Sequence, residues 1–273
     1  MTEPVSSAST RLPTIADVFN RGRETGRAAL IPYVCAGFPD ADTSLALLRE
    51  AAEAGADVIE LGIPFSDPLA DGPTIQRAAF RALEAGMTVN GALTLLRQFR
   101  VDHDTPVVLF TYLNPIHRYG MDRFVEAARD AGAQGLLITD LPAGADPALE
   151  SAVRTGGLDL IRLLAPTTTP ARVSRVAEGG SGFLYYISRT GVTGARTELR
   201  TELAREVEAI RARVSLPLAV GFGISTPEQA ALVGGLADGV VVGSALVEAV
   251  ETGGVEAGGA FLRSLREAMD RRE

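Results

Sequence analysis

Short, almost unbroken apolar runs alternate along the chain with longer stretches in which apolar positions recur every three or four residues. The short runs are 29–36, 57–63, 106–112, 135–140, 159–165, 182–188, 216–221 and 239–243. They are rich in Val, Ile and Leu and lack the in–out alternation of a half-exposed strand, which is the pattern of parallel strands buried on both faces. Helical stretches separate them at 42–54, 73–85 with 88–100, 121–131, 147–155, 169–178, 198–213, 226–234 and 254–270, and an amphipathic segment, 15–24, precedes the first strand. Asp42, in an acid- and hydroxyl-rich stretch, is the expected opening of the first of these, and Thr226 caps a helix with Pro227 at its first position. Gly55, Gly86, Gly132 and Gly156 are expected to supply left-handed residues at helix ends.

Eight strand–helix units joined by short links predict an α/β fold, a single (β/α)8 TIM barrel with an extra N-terminal helix. The 273 residues suit it, since such a barrel needs about 250. The competing architecture is a doubly wound open sheet, but no G-x-G-x-x-G follows the first strand. Nothing in the sequence divides the chain, so 11–273 reads as one barrel domain and 1–10 as a flexible tail.

Composition then removes whole classes of chemistry. All 26 basic residues are Arg. Without Lys there is no internal Schiff base, hence no lysine-type aldolase chemistry, and no P-loop. Two His and one Cys, Cys35, are too few for a standard zinc site or an internal disulfide. The net charge of −8 is a poor match to nucleic acid or an anionic membrane. The polar first residues and the absence of a long apolar run predict a soluble cytoplasmic protein.

In such barrels the reactive groups sit at the C-terminal ends of strands and in the loops that follow. Glu60 lies inside the second apolar run, between Ile59 and Leu61. A carboxylate there is costly unless used or paired. It either points into the barrel with Val58 and Gly62, its pKa raised toward that of a general acid/base, or faces outward to an Arg of a flanking helix. The following loop, Pro64–Thr74, carries Asp67 and Asp71 among three prolines. Asp71 is either a catalytic group or the cap of the next helix, and spacing by itself favours the cap.

Gly-rich turns follow strands six, seven and eight: Gly191 to Gly194, Gly221 to Ser225, and Gly243-Ser244. Late-strand loops of this fold bind phosphate through backbone N–H groups at helix starts, which needs no Lys. Tyr33, Phe38, Phe110, Tyr112, Tyr185 and Phe222 lie near strand C-termini, in a chain only 5% aromatic. They form either a pocket for a flat ring or the upper core. Asn114 and Asp140 are rim or turn residues, His117 a loop surface residue, and Cys35 a small buried hydrophobe.

The run from Ile59 through Gln76, IELGIPFSDPLADGPTIQ, resembles the signature of the tryptophan synthase alpha chain family. Ser188 to Gly194, Gly221 to Ser225 and Gly243-Ser244 resemble its other motifs, in the same order, so the resemblance spans about 15–268. It implies cleavage of indole-3-glycerol phosphate to indole and glyceraldehyde 3-phosphate. By similarity Glu60 is the general acid/base, Asp71 holds the indole N–H, and Tyr185 stands beside the carboxylate. Gly194, Phe222, Gly223, Gly243 and Ser244 match the phosphate site, Thr193 the lid after strand six, and Tyr33, Phe110 and Tyr112 the indole pocket. Tyr33 replaces a phenylalanine, Phe110 a leucine, and Cys35 stands where Thr is common. The resemblance further implies no cofactor in this chain, and an α2β2 complex with a beta chain that carries pyridoxal phosphate and receives indole internally. The 64–68 loop and the Asn114 region match the surfaces that meet that chain. A retro-aldol cleavage with indole as electron sink needs neither imine nor metal, which suits a chain without Lys. The competing functions are a phosphosugar isomerase or synthase, a stand-alone indole-3-glycerol phosphate lyase, and a non-catalytic activating subunit.

Overall fold

A computed structural model of the chain describes residues 12–188, 196–221 and 223–271, with the backbone alone over 196–200. Eight parallel strands close into a barrel in sequence order: β1 Ala29–Cys35, β2 Ile59–Gly62, β3 Val107–Thr111, β4 Gly135–Ile138, β5 Asp159–Leu164, β6 Leu184–Ile187, β7 Leu218–Gly221 and β8 Gly239–Val242. Pairing of β1 with β8 shuts the sheet, with Ala29 opposite Gly239. The expected TIM barrel is therefore the fold, and the open sheet is excluded.

The helices in chain order are α1 Ile15–Thr25, α2 Ala41–Glu53, α3 Pro73–Glu84, α4 Val89–Phe99, α5 Leu113–Tyr119, α6 Met121–Asp130, α7 Pro147–Thr155, α8 Pro170–Glu178, α9 Arg196–Arg211, α10 Pro227–Gly234 and α11 Ser244–Asp270. Two differ from the expected pattern. The helix α5 is a single short element after β3, and α11 begins ten residues before the expected start, running through a kink at Gly253 and Gly254. No helix among the described residues is long and apolar enough to cross a membrane.

Several boundaries also differ. The cap of α2 is Asp40, whose carboxylate accepts from the Thr43 N–H, and Asp42 lies in the first turn. Gly55, Gly86 and Gly132 are left-handed as expected, but Gly156 is not (φ −72°), and the positive φ falls on Gly157. Thr226 does cap α10, in a reciprocal pair with Gln229.

The barrel interior is filled by Ile31, Val58, Val108, Leu137, Ile161, Phe183, Ala219 and Val241, one from each strand or its entry. Helix α1 plugs the N-terminal end: Ile15 and Phe19 are buried in the same cluster, and the Phe19 ring lies 5.4 Å from Phe183. A second, outer cluster packs the helices against the sheet. One device recurs four times at the closed end. The residue entering each even strand accepts an amide hydrogen from the start of the preceding odd strand: Asp57 from Leu30 (2.9 Å), Gln134 from Val107 (2.9 Å), Ser181 from Leu160 (2.9 Å) and Asp238 from Leu218 (2.8 Å). Side-chain acceptors thus supply partners for strand amides at the edge of the ladder, where they would otherwise be buried unpaired. With the N-terminal end plugged and clamped, the open end is the C-terminal one, where the sequence places its polar residues.

Candidate active site

Glu60 occupies the middle of β2, opposite Tyr33 on β1 and Val108 on β3. Its side chain is turned into the barrel and only 1% exposed. Val58, one turn of the pleat earlier, belongs to the interior cluster, so the strand period carries Glu60 to the inner face. Its Oε1 has no hydrogen-bond partner among the described residues. Burial pushes the carboxyl up to about 8, because the charged form loses its water without gaining a cation. Among the described residues no Arg faces it, so the outward, ion-paired alternative is excluded.

The loop after β2 brings a second carboxyl to the same mouth. Pro64, Pro68 and Pro73 restrict its backbone. Successive turns follow, with the Leu69 N–H donating to Asp67 O (2.9 Å) and the Asp71 N–H to Pro68 O (3.0 Å). Gln76 Nε2 ties the loop to α3 through the Asp71 carbonyl at 2.9 Å. Asp71 is not the helix cap that its spacing favoured. The cap position of α3 is Gly72, with no side-chain capping bond, and Pro73 follows at the first helical position. The Asp71 carboxyl is left free to face the barrel mouth. Burial raises it to about 6, and a hydrogen bond from Tyr112 opposes part of that rise.

Three tyrosines surround the two carboxyls. Tyr112, just past β3, is buried; its hydroxyl accepts the Ala70 N–H at 3.1 Å, and burial, with Asp71 close by, pushes its phenol up. Tyr33 and Tyr185 feel the negative charge of both Glu60 and Asp71, which together with burial raises each phenol well above its ordinary value. Both lie over glycines. A Cβ on Gly62 would fall on the Tyr33 hydroxyl, and one on Gly221 would come within 2.5 Å of the Tyr185 hydroxyl. Gly at these two strand ends is what lets the phenols cross the barrel mouth. Phe110 completes this wall, edge-on to Tyr33 with ring centres 5.3 Å apart.

The remaining candidates divide. Gly243 is the N-terminal cap position of α11, and a Cβ there would meet Tyr33 Cβ at 3.6 Å, so this helix start borders the same pocket. Ser244 is the first residue of α11 and is exposed; Gly223 is exposed with φ 72°. Thr193, Gly194 and Phe222 lie outside the described residues. Phe38 is buried with the Arg81 guanidinium over its ring at 5.5 Å, which makes it a packing residue of the outer layer. His117 is exposed as expected, but on α5 rather than on a loop, and the Asp140 carboxylate takes the Leu113 N–H at 2.7 Å, holding the start of that helix. Cys35 is buried as expected.

Two participants escaped the sequence. Thr139 follows β4 and ties it to the end of β3, its N–H and hydroxyl both donating to the Thr111 carbonyl (3.0 and 3.3 Å), a hydroxyl at a strand C-terminus that the same positional rule covers. Cys35 lies two residues from Tyr33 on the same strand face, buried beside the phenol, and burial pushes its thiol up to about 12.

Comparison with known proteins concerns the chain as a whole. The family model described as "Tryptophan synthase alpha chain" matches residues 19–269. The tryptophan synthase alpha chain of Acidiphilium cryptum (strain JF-5) is 50% identical over 240 residues, 88% of this chain and 87% of that one. The crystal structure of tryptophan synthase subunit alpha from Legionella pneumophila str. Paris is 40% identical and superposes with a TM-score of 0.85, covering 94% of this chain and 98% of that one. A chain of tryptophan synthase from M. tuberculosis, in the open form with BRD0059 bound, is 36% identical with a TM-score of 0.86, over 93% and 98% of the two chains. A buried carboxyl inside β2, a second on the loop behind it and a family match over nearly the whole barrel lead to one conclusion: the chain belongs to the tryptophan synthase alpha chain family.

Proposed function

We propose that Glu60 and Asp71 together carry the carbon–carbon cleavage that this family performs. As a tryptophan synthase alpha chain the protein splits indole-3-glycerol phosphate into indole and glyceraldehyde 3-phosphate, a lyase half-reaction of tryptophan biosynthesis, in partnership with a beta chain. The alpha chain itself needs no cofactor; pyridoxal phosphate belongs to the beta chain. Family membership favours this reading over a stand-alone lyase or a non-catalytic activator.

The observation that carries the assignment is the unequal environment of the two carboxyls. Between about pH 6 and about 8, Asp71 is ionised and Glu60 is protonated. Two acids pushed apart in this way have separate tasks. Glu60 delivers its proton to C3 of the indole ring, converting the ring to an indolenine cation that can accept the bonding electrons. Ionised Asp71 takes a hydrogen bond from the ring N–H and stabilises the positive charge that develops there. As the C3–C3′ bond breaks, its electron pair returns to the ring and the glycerol-side hydroxyl becomes the aldehyde. That hydroxyl's proton passes to the Glu60 carboxylate, which restores the starting acid. Protons and electrons balance without any further group.

The rest of the mouth binds. Tyr33, Phe110, Tyr112 and Tyr185 form the walls against the flat ring, and Thr193 belongs to the same substrate-binding set. Gly194, Phe222, Gly223, Gly243 and Ser244 hold the phosphate, with the α11 N-terminus supplying amides and a favourable dipole. The partnership is an α2β2 complex in the cytoplasm. Its contact surface includes the 64–68 loop and the Asn114 region, where Leu69 stands almost fully exposed one residue beyond Pro68.

The test is release of indole from indole-3-glycerol phosphate by the protein with and without a beta chain. Turnover that rises when the beta chain is added supports the assignment. A wild-type protein that releases no indole in either case overturns it.

A further inference from the structure

We propose that Glu248 is a positioning residue for Asp71: from α11 it takes the hydroxyl of Thr74 and so fixes the first turn of α3, on which the Asp71 segment rests. The inference rests on Asp71 being the ionised partner in the cleavage. Thr74 is 8% exposed, and its Oγ1 donates to Glu248 Oε1 at 3.0 Å. A helical threonine commonly returns its hydroxyl to the carbonyl one turn back, as Thr25, Thr94, Thr155 and Thr252 do in this chain. Thr74 stands in the first turn of α3, with loop and not helix behind it, and its hydroxyl is turned to the neighbouring helix instead.

The tie sets two helix starts level. On α11, Ser244 precedes Glu248 by one turn; on the other side, Asp71 precedes Thr74 by three residues. One turn further on, Arg77 approaches Glu251 at 3.7 Å, so the two helices run side by side in the same direction. Between their starts, Ile75 Cδ1 lies 3.7 Å from the place a Cβ on Gly243 would take. The Asp71 segment is joined to α3 by Gln76, whose Nε2 donates to the carbonyls of Asp71 (2.9 Å) and Pro68 (3.3 Å). The helix opens at Gly72 with no side-chain capping bond and with no acidic residue in its first turn. Its start is therefore held by tertiary contacts, and a shift there passes to Asp71 through Gln76 and the stiff Gly72-Pro73 backbone. Misplacing a reacting group by about 1 Å can cost on the order of 10²-fold in rate.

Glu248 acts on where Asp71 sits, not on its charge. The Asp71 shift comes chiefly from burial. The titratable groups that share the mouth with Asp71 are Tyr33 and Cys35 on β1, Glu60 on β2, Tyr112 just past β3 and Tyr185 on β6. Beside the tie stand Arg77 and Glu251, both exposed, whose pair is weakened by solvent and contributes little. The anchor is thus the buried hydroxyl of Thr74 on the Glu248 carboxylate, a hydrogen bond to a charged group.

Variants of the full chain test this by indole release across the pH range and by carbon NMR titration of the Asp71 carboxyl, which needs no turnover. Glu248→Ala and Thr74→Val break the tie. Each should lower kcat about tenfold with KM for indole-3-glycerol phosphate nearly unchanged, and the double variant should match them. The acid limb and the Asp71 titration should move down from about 6, because a displaced carboxyl loses the burial that raises it. Thr74→Ser keeps the donor and Glu248→Gln keeps an acceptor, so both should restore kcat and the limb. Arg77→Ala removes only the exposed pair and should match wild type. An Asp71 titration and kcat unmoved in Glu248→Ala would overturn the inference while leaving the role of Asp71 intact. So would a loss confined to KM, which would mean that the tie serves α11 alone, or a Glu248→Gln variant as impaired as Glu248→Ala, which would make the effect one of charge. If Thr74→Val does not fold, Glu248→Ala, at an exposed position, decides. An Asp71→Asn variant with full turnover would instead overturn the underlying assignment.

Discussion

The Tyr112 hydroxyl accepts the backbone N–H of Ala70 at 3.1 Å, and so pins the loop after β2 to the end of β3 at the residue before Asp71. One phenol thereby holds both the position of the second carboxyl and, through its bond to that carboxyl, its ionisation. Tyr112→Phe keeps the ring against Phe65, whose centre is 5.2 Å away, and removes only the hydroxyl. The Tyr112 bond lowers the Asp71 pKa against burial, so its loss should raise the acid limb of the pH–rate profile above about 6. We expect kcat/KM to fall about tenfold, the effect of one hydrogen bond to a charged group. An acid limb unmoved in this variant would show that Tyr112 does not act through Asp71.

Glu60→Gln is expected to lower cleavage by a factor of about 10² to 10⁴, the usual worth of a general acid/base. Binding of a glycerol-phosphate ligand, followed by calorimetry, should persist. The wild-type profile should be bell-shaped, with limbs near 6 and near 8 set by Asp71 and Glu60. The same substitution has a stability signature. The folded pKa of Glu60 is raised from 4.5 to about 8, so the fold favours the protonated form. That contribution is complete below about 4.5 and is lost as pH rises through about 8. Glutamine has no charge to lose. Urea unfolding should therefore find the variant gaining on wild type as pH rises, by a few kcal/mol at alkaline pH. A stability gap that does not change with pH would mean that Glu60 is not buried as an acid.

Ser244 opens α11 beside Gly243, at a helix start that borders the pocket. Ser244→Ala removes a hydroxyl donor while leaving the backbone amides and the dipole. KM for indole-3-glycerol phosphate should rise about tenfold with kcat nearly unchanged, the pattern of lost uniform binding. Steady-state kinetics separate the two constants, and a loss confined to kcat would contradict a phosphate-binding role.

The clamp residues at the closed end should govern stability and not chemistry. Asp57 accepts the Leu30 amide and also pairs with Arg27 at 2.6 Å and with Arg266 at 3.2 Å. Asp57→Ala leaves a strand amide without its partner and the mostly buried Arg266 with one carboxylate fewer, at a cost of about 3 kcal/mol. Ser181→Ala removes only the acceptor for Leu160, and should cost about 1 kcal/mol. Denaturant melts give both values. Equal losses would show that the ion pairs of Asp57 add nothing to the clamp.

Much of this protein is legible along the chain because its determinants are local. Apolar runs such as 107–111 and 239–242 can be stable only as strands covered on both faces, and eight of them with helices between leave a closed barrel as the simplest way to bury them all. The inward position of Glu60 follows the same period of 2, and the absence of Lys excludes imine chemistry by composition alone. Other features were decided by contacts between residues far apart. Asp71 carries the local signature of a helix cap, yet Gly72 takes that position, and Tyr112, some forty residues on, helps hold the carboxyl over the pocket. The glycines beneath the two phenols and the four clamps at the closed end likewise depend on neighbouring strands meeting in register. Burial pattern depends on the order of residues along one segment; the ionisation of a carboxyl depends on which groups surround it in space, and those come together only when the barrel closes.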